Sequence, residues 1–322
     1  MDFTTVRNGA ITLNVAVQGD GPLIVCVHGW PELWYSWRHQ IEHFAARGYK
    51  VAALDVRGYG ASSKPPEIAA YSLRNLAADV VAVIDQLGGG QAILFGHDWG
   101  ATVVWTTALL HPDKVRAVAG LSVPYRPRGA ASSLATMRRI YAGRFFYQVY
   151  FQEEGVVEAE LERDVAAALR KIYFAISGDA PLNAFLAEKA ADATLLEGMV
   201  DPQPFPGWMS DADLKVYTDA YEAGGFSTSV HRYRAQEIDF ADLADYAGKP
   251  VMKPAFFIAG ERDAIRSFVP GTDLYASPGA FCTDFRGSVI IPGMGHWMEE
   301  APAAVNAALE AFLGQIELSR PA

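Results

Sequence analysis

Cysteine is scarce in this chain: 322 residues contain 2, Cys26 and Cys282, and neither stands in a metal-ligand spacing. Cys26 lies inside the apolar run Leu23 to Val27, where a free thiol packs as a small hydrophobe. Neither cysteine is expected to carry chemistry. Positive charge is also short, with 27 Lys and Arg against 37 Asp and Glu and a formal net charge of -10. Without a global positive field to gather phosphate backbones or anionic headgroups, nucleic acid and membrane surfaces are not the expected partners. No run of about 18 uninterrupted apolar residues occurs, and Met1 to Val6 shows no basic segment leading into an apolar one. The expected location is therefore the cytoplasm. Internal repeats and low-complexity tracts are absent as well.

What is present is material for a large core. Hydrophobic residues make up 51% and charged residues 20%, a balance without the mark of disorder. The length suits one large α/β domain or a domain carrying an insertion. Asn8-Gly9, between Thr4 to Arg7 and Ile11 to Gln18, predicts an antiparallel hairpin closed by a type I′ turn. Short apolar runs follow at Leu23 to Val27, Lys50 to Leu54, Gln91 to Phe95, Val115 to Ser122, Ala255 to Ala259 and Ser288 to Ile291. Continuous apolar strands are what a parallel sheet covered on both faces requires.

Helical patterns separate those runs. The clearest starts at Ser72 as N-cap, places Leu73, Leu76, Val80, Ile84 and Leu87 on one face, and stops at Gly88 to Gly90. Others cover Trp34 to Arg47, Trp99 to Leu110 and Ala304 to Leu313. The alternation predicts βαβ units and a doubly wound, mostly parallel sheet. From Val123 to about Ala247 the alternation stops, and breakers such as Pro202 to Pro206 interrupt helix formers and aromatics. Because strands resume at Ala255, this segment is expected to be a helical insertion above the carboxyl ends of the strands, where open α/β sheets bind ligands. The expected division is a core of residues 1–124 and 248–322, with an inserted helical cap at 125–247.

The chemistry centres on Ala92-Ile93-Leu94-Phe95-Gly96-His97-Asp98-Trp99-Gly100-Ala101, which passes from a buried strand into a helix. Small residues two before and two after Asp98 give it the form of a nucleophile elbow, a sharp turn that lifts one side chain above the sheet. A plain N-cap aspartate is the alternative. A carboxylate attacking an acyl carbon would give an anhydride, whereas attack on a saturated carbon gives an ester, so the expected target is an sp³ carbon bearing a leaving group. An aspartate is ionised at neutral pH and needs no base to activate it; the base is needed later, to direct water at the ester. His296, in Ile291-Pro292-Gly293-Met294-Gly295-His296-Trp297, follows a buried strand near the chain end and is the expected base. The acid that orients it is expected at the end of the preceding strand, at Asp263 in preference to Glu261. The turn Cys26-Val27-His28-Gly29-Trp30-Pro31 can aim the Trp30 backbone N–H beside that of Trp99, giving an oxyanion hole. Trp30-Pro31 is a candidate cis peptide.

These strings, with Pro31-Glu32-Leu33-Trp34-Tyr35-Ser36-Trp37-Arg38-His39-Gln40 and Asp55-Val56-Arg57-Gly58-Tyr59-Gly60, resemble the epoxide hydrolases of the α/β-hydrolase fold along nearly the whole chain. Phe146-Tyr147-Gln148-Val149-Tyr150-Phe151-Gln152-Glu153 resembles the first cap helix of that family. The resemblance implies that Tyr147, with Tyr150 as fallback, and Tyr233 in Val230-His231-Arg232-Tyr233-Arg234 are the two ring-opening tyrosines. It implies a reaction without cofactor or metal, on a small-molecule epoxide and water. Two phenols suit the task, because the ring oxygen leaves as an alkoxide and needs hydrogen bonds and a proton. Trp99, Trp297 and Tyr125 are expected to line an apolar pocket.

The neighbouring families fit less well. Haloalkane dehalogenases share the Asp, acid and His, but place a halide-binding Asn where this chain has Trp30. Fluoroacetate dehalogenases carry arginines at the positions of Trp99 and Thr102. A catalytically silent receptor would not need Asp98, Asp263, His296 and both tyrosines together. Peptidases and lipases need Ser or Cys at the elbow. No feature of the sequence marks an interface, so a homo-oligomer is left open.

Overall fold

The computed structural model describes residues 1–316. Eight strands form one sheet: β1 (Asp2–Asn8), β2 (Ile11–Gln18), β3 (Leu23–Val27), β4 (Lys50–Leu54), β5 (Ala92–His97), β6 (Val115–Leu121), β7 (Val251–Gly260) and β8 (Cys282–Ile291). Their order is β1-β2-β4-β3-β5-β6-β7-β8. Pairing is antiparallel for β1 with β2 and β2 with β4, and parallel from β4 through β8. This is the arrangement of an α/β-hydrolase fold.

The apolar runs follow from the two-residue period of a strand covered on both faces. In β3, Leu23, Val25 and Val27 join one core while Ile24 and Cys26 join the other. The first core also receives α2 (Leu73–Leu87) through Leu76, Val80 and Ile84, and α3 (Trp99–Leu110) through Val103 and Val104. The second receives α1 (Arg38–Ala45) through Ile41 and Phe44, and the carboxyl-terminal helix Pro302–Leu313 through Val305, Leu309 and Phe312. Ser72 caps α2 by accepting the Asn75 N–H.

Three sequence expectations shift. In the hairpin, Asn8 pairs with Ile11, so the turn is Gly9-Ala10, and only Gly9 takes a positive φ, of 59°. The helix expected from Trp34 opens as a 3-10 turn over Trp34–Trp37 before α1 begins. Strands β7 and β8 start well before their apolar runs. Their first halves are partly solvated, with Met252 72% exposed, and the pairing slips between Val251 and Pro254, where proline has no N–H to donate.

Between β6 and β7 the described residues form helices: α4 (Ser133–Ile140), α5 (Tyr147–Tyr150), α6 (Val156–Leu161), α7 (Val165–Ala175), α8 (Asp211–Gly224), α9 (Ser227–Arg234) and α10 (Gln236–Asp242). Hydrogen bonds fasten this segment to loops at the carboxyl ends of the strands. The Tyr173 hydroxyl donates to the Pro31 carbonyl at 3.0 Å, Tyr59 to the Ser229 carbonyl at 3.1 Å, and the His296 N–H to the Ile176 carbonyl at 2.9 Å. Among the described residues, no helix is long and apolar enough to cross a membrane.

The turn from β5 into α3 depends on two glycines. A Cβ on Gly96 would lie 2.3 Å from the Gly100 carbonyl oxygen, and one on Gly100 would lie 2.0 Å from that of Val27. Gly100→Ala must therefore push α3 off β3. Overpacking of this kind costs roughly 1–3 kcal/mol, so the urea midpoint should fall accordingly; an unchanged midpoint would contradict the close contact.

Candidate active site

Asp98 stands between β5 and α3 with φ 52° and ψ -122°, one of three described non-glycine residues with positive φ. Such backbone is strained and persists only where its surroundings enforce it. The side chain makes no helix-capping hydrogen bond, so the N-cap alternative does not account for it. Instead the Trp30 N–H donates to Oδ1 at 2.9 Å, and the Trp99 N–H also hydrogen-bonds the carboxylate. Both peptide donors expected of an oxyanion hole thus already hold the Asp98 carboxylate. The Trp30-Pro31 peptide is cis. Burial pushes the Asp98 carboxyl above its usual range, against the opposing pull of His296, His97 and the two N–H groups.

His296 Nε2 lies 3.8 Å from Asp98 Oδ2, and its Nδ1 lies 3.2 Å from Asp263 Oδ1 and 3.0 Å from Ser122 Oγ. Asp263 also accepts the Ile265 N–H at 3.0 Å and the Tyr275 hydroxyl at 2.8 Å. Burial alone would raise the Asp263 carboxyl, but His296, Ser122 and the Ile265 N–H outweigh it and hold the group below the usual range. Glu261, the other sequence candidate, is turned away and accepts the Gly293 N–H at an exposed position. Asp98, His296 and Asp263 converge although the first two stand 198 positions apart in the chain.

Sequence reading missed a second charged pair behind the triad. Glu32, fully buried, accepts the Gly29 N–H at 2.7 Å and faces His97 Nδ1 at 2.9 Å. His97 Nε2 meets the His296 carbonyl oxygen at 2.8 Å, so both ring nitrogens face acceptors. Burial disfavours the imidazolium, yet the Glu32 charge and hydrogen bond outweigh burial and raise His97 to about 10. The signal was a His beside the elbow and a Glu beside the oxyanion turn, 65 positions apart, which nothing in the sequence connects.

Above Asp98, α5 brings Tyr147 and α9 brings Tyr233, their rings 5.7 Å apart. Burial pushes both phenols well up, so they stay protonated and able to donate. The Tyr147 hydroxyl accepts from Gln148 Nε2 at 2.9 Å, and the Trp99 side chain hydrogen-bonds Tyr233. Tyr150 is engaged elsewhere, donating to Glu160 at 2.9 Å. Trp30, Asp98, Tyr147, Tyr233, Asp263 and His296 enclose a cavity of about 20 Å³, enough for about one water. It shares Asp98 and Tyr147 with a cavity of about 500 Å³ whose walls include Trp99, Trp105, Tyr125 and Phe268.

Trp297 departs from expectation: it lines neither cavity. It is fully buried, donates its indole N–H to the Tyr173 carbonyl at 2.7 Å and packs edge-on against His296 at 4.7 Å, behind the base rather than facing the pocket. Tyr125 does reach the larger cavity, with its hydroxyl donating to the Lys249 carbonyl at 2.7 Å.

Comparison with known proteins agrees with this geometry. Residues 22–298 match the family model for the alpha/beta hydrolase fold. Epoxide hydrolase A of Mycobacterium tuberculosis is 40% identical over 97% of this chain and 97% of its own length. An epoxide hydrolase from an endophytic Streptomyces superposes with a TM-score of 0.92 at 38% identity, covering 97% of this chain and 95% of its own. Potato (Solanum tuberosum) epoxide hydrolase I gives 0.87 at 31% identity, covering 98% and 99% respectively. With relatives of this similarity matched from end to end, the chain belongs to the epoxide hydrolases of the α/β-hydrolase fold.

Proposed function

We propose that this enzyme opens an epoxide to a vicinal diol through an ester on Asp98. The observation that carries the reading is the convergence of one carboxylate and two protonated phenols on a single small cavity, with the Asp263-His296 pair at its wall. Residues 125–247 act as a cap that supplies both phenols, and residues 1–124 and 248–322 supply the rest.

The Asp98 carboxylate attacks an epoxide carbon, the carbon–oxygen bond of the ring breaks, and the released oxygen takes a proton from Tyr147 or Tyr233. His296 then removes a proton from water as the hydroxide adds to Asp98 Cγ. The N–H groups of Trp30 and Trp99 hold the oxyanion on the Asp98 carboxyl group. Collapse expels the second diol oxygen with the proton from His296, and the proton left on the Asp98 carboxyl restores the phenol. Asp263 keeps the imidazole oriented and stabilises its cationic form. The apolar substituents of the epoxide lie in the cavity of about 500 Å³.

The direct test follows diol and bromide in parallel from aryl and alkyl epoxides and matched bromoalkanes. Diol without bromide, abolished by Asp98→Ala, is expected; bromide without diol would replace this reading with dehalogenation. His296→Gln should still alkylate once, so intact mass spectra should show a stoichiometric adduct on Asp98, and absence of an adduct would refute the assigned base. Tyr147→Phe and Tyr233→Phe should each slow alkylation by about 10²-fold, the scale of one proton donor, while leaving hydrolysis of the preformed ester nearly unchanged.

Alkylation needs the ionised carboxylate, and burial raises Asp98. The single-turnover alkylation rate should therefore fall, as pH decreases, through a pKa above the ordinary aspartate value of about 3.9. A midpoint at or below that value would contradict the burial argument.

A further inference from the structure

Ser122 follows β6 and takes no part in the steps above. Its φ is +69°, and the Val123 N–H donates back to the Leu121 carbonyl at 2.8 Å, making Ser122 the centre of a γ-turn with positive φ. That conformation is rare and strained for any residue with a side chain, whereas glycine adopts it freely. Its own N–H donates to the Ile258 carbonyl at 2.8 Å, which ties the turn to β7. Here a serine occupies the position instead, only 2% exposed.

The hydroxyl explains the choice. Ser122 Oγ lies 3.0 Å from His296 Nδ1, the nitrogen that faces Asp263 Oδ1 at 3.2 Å, and the same hydroxyl hydrogen-bonds the Asp263 carboxylate. Nδ1 carries a single hydrogen, so it donates toward Asp263 and Ser122 while the Ser122 O–H donates to Asp263. The triangle accepts a hydrogen bond only from an imidazole protonated at Nδ1, leaving Nε2 toward Asp98 as the site that takes a proton from water. We propose that Ser122 is a positioning residue for His296, held in a strained turn so that its hydroxyl fixes the tautomer and ring plane of the base during ester hydrolysis.

The inference rests on the two-step covalent reading, and its test separates the two. Ser122→Gly and Ser122→Ala both remove the hydroxyl, but only alanine keeps the backbone strain. In single-turnover experiments with an epoxide that alkylates the wild type, both variants should slow ester hydrolysis about tenfold while alkylation stays within about twofold. In the steady state, where hydrolysis then limits, kcat and KM should fall together with kcat/KM preserved. Hydrolysis at the wild-type rate in Ser122→Gly, a defect confined to the strained Ser122→Ala, or equal slowing of both half-reactions would overturn the proposal. A wild type that makes diol without any adduct overturns the covalent reading itself, and this proposal with it.

Discussion

The site depends on how closely the β5–α3 turn approaches β3. With Gly96 and Gly100 lacking side chains, the helix start packs onto the Val27 and His28 carbonyls, and nothing larger fits between them. That contact forces Asp98 into a left-handed backbone and brings its carboxylate onto the N–H of Trp30, in the loop after β3. The same approach places the start of α3, with the positive end of its dipole, beside the carboxylate. The Asp98 carboxylate, the peptide donors and the helix end are thus aligned by one steric constraint, and the strain at Asp98 is sustained by the packing around it.

Around this turn the protein buries charge in compensated sets. Asp263 is satisfied by His296, Ser122, Tyr275 and a peptide N–H; Glu32 meets His97 and the Gly29 N–H through Oε2, while its Oε1 has no hydrogen-bond partner. Removing these groups from water would be prohibitive singly, but each negative charge faces a positive or donating partner at hydrogen-bond distance. The imidazolium of His97 supports both the Asp98 carboxylate, through charge, and the His296 backbone, through a hydrogen bond to its carbonyl. Asp98 differs from Asp263 in that burial leaves its carboxyl above the usual range.

Much of this was legible in the residues. The apolar runs placed the parallel strands because burial on both faces demands them, and the Gly-x-Asp-x-Gly turn marked Asp98 as the candidate nucleophile because only small neighbours permit such a bend. The starts of β7 and β8 were not legible, since half-solvated edge backbone needs no apolar residues. Trp297 read as a pocket aromatic but packs behind the base, because an indole with a buried acceptor at Tyr173 is as well placed in the interior as in a wall. Glu32 and Ser122 could not be tied to their partners from sequence, as ordinary polar residues whose partners lie 65 and 174 positions away.

By itself the sequence determined the fold class and marked Asp98, Asp263 and His296 as the candidate nucleophile, acid and base, because these follow from local patterns: strand periodicity, turn sterics and the chemistry of a carboxylate. Composition and spacing could not single out Tyr147 and Tyr233 among 14 tyrosines; family resemblance named them, and the packing of two short helices above Asp98 placed them. The tertiary structure alone showed that Asp263 faces His296 while Glu261 turns away, that Tyr150 turns to Glu160, and that Glu32, His97 and Ser122 are buried around the same histidine. Each of those is a matter of where a side chain points, and direction at that scale arises from contacts between segments far apart in the chain.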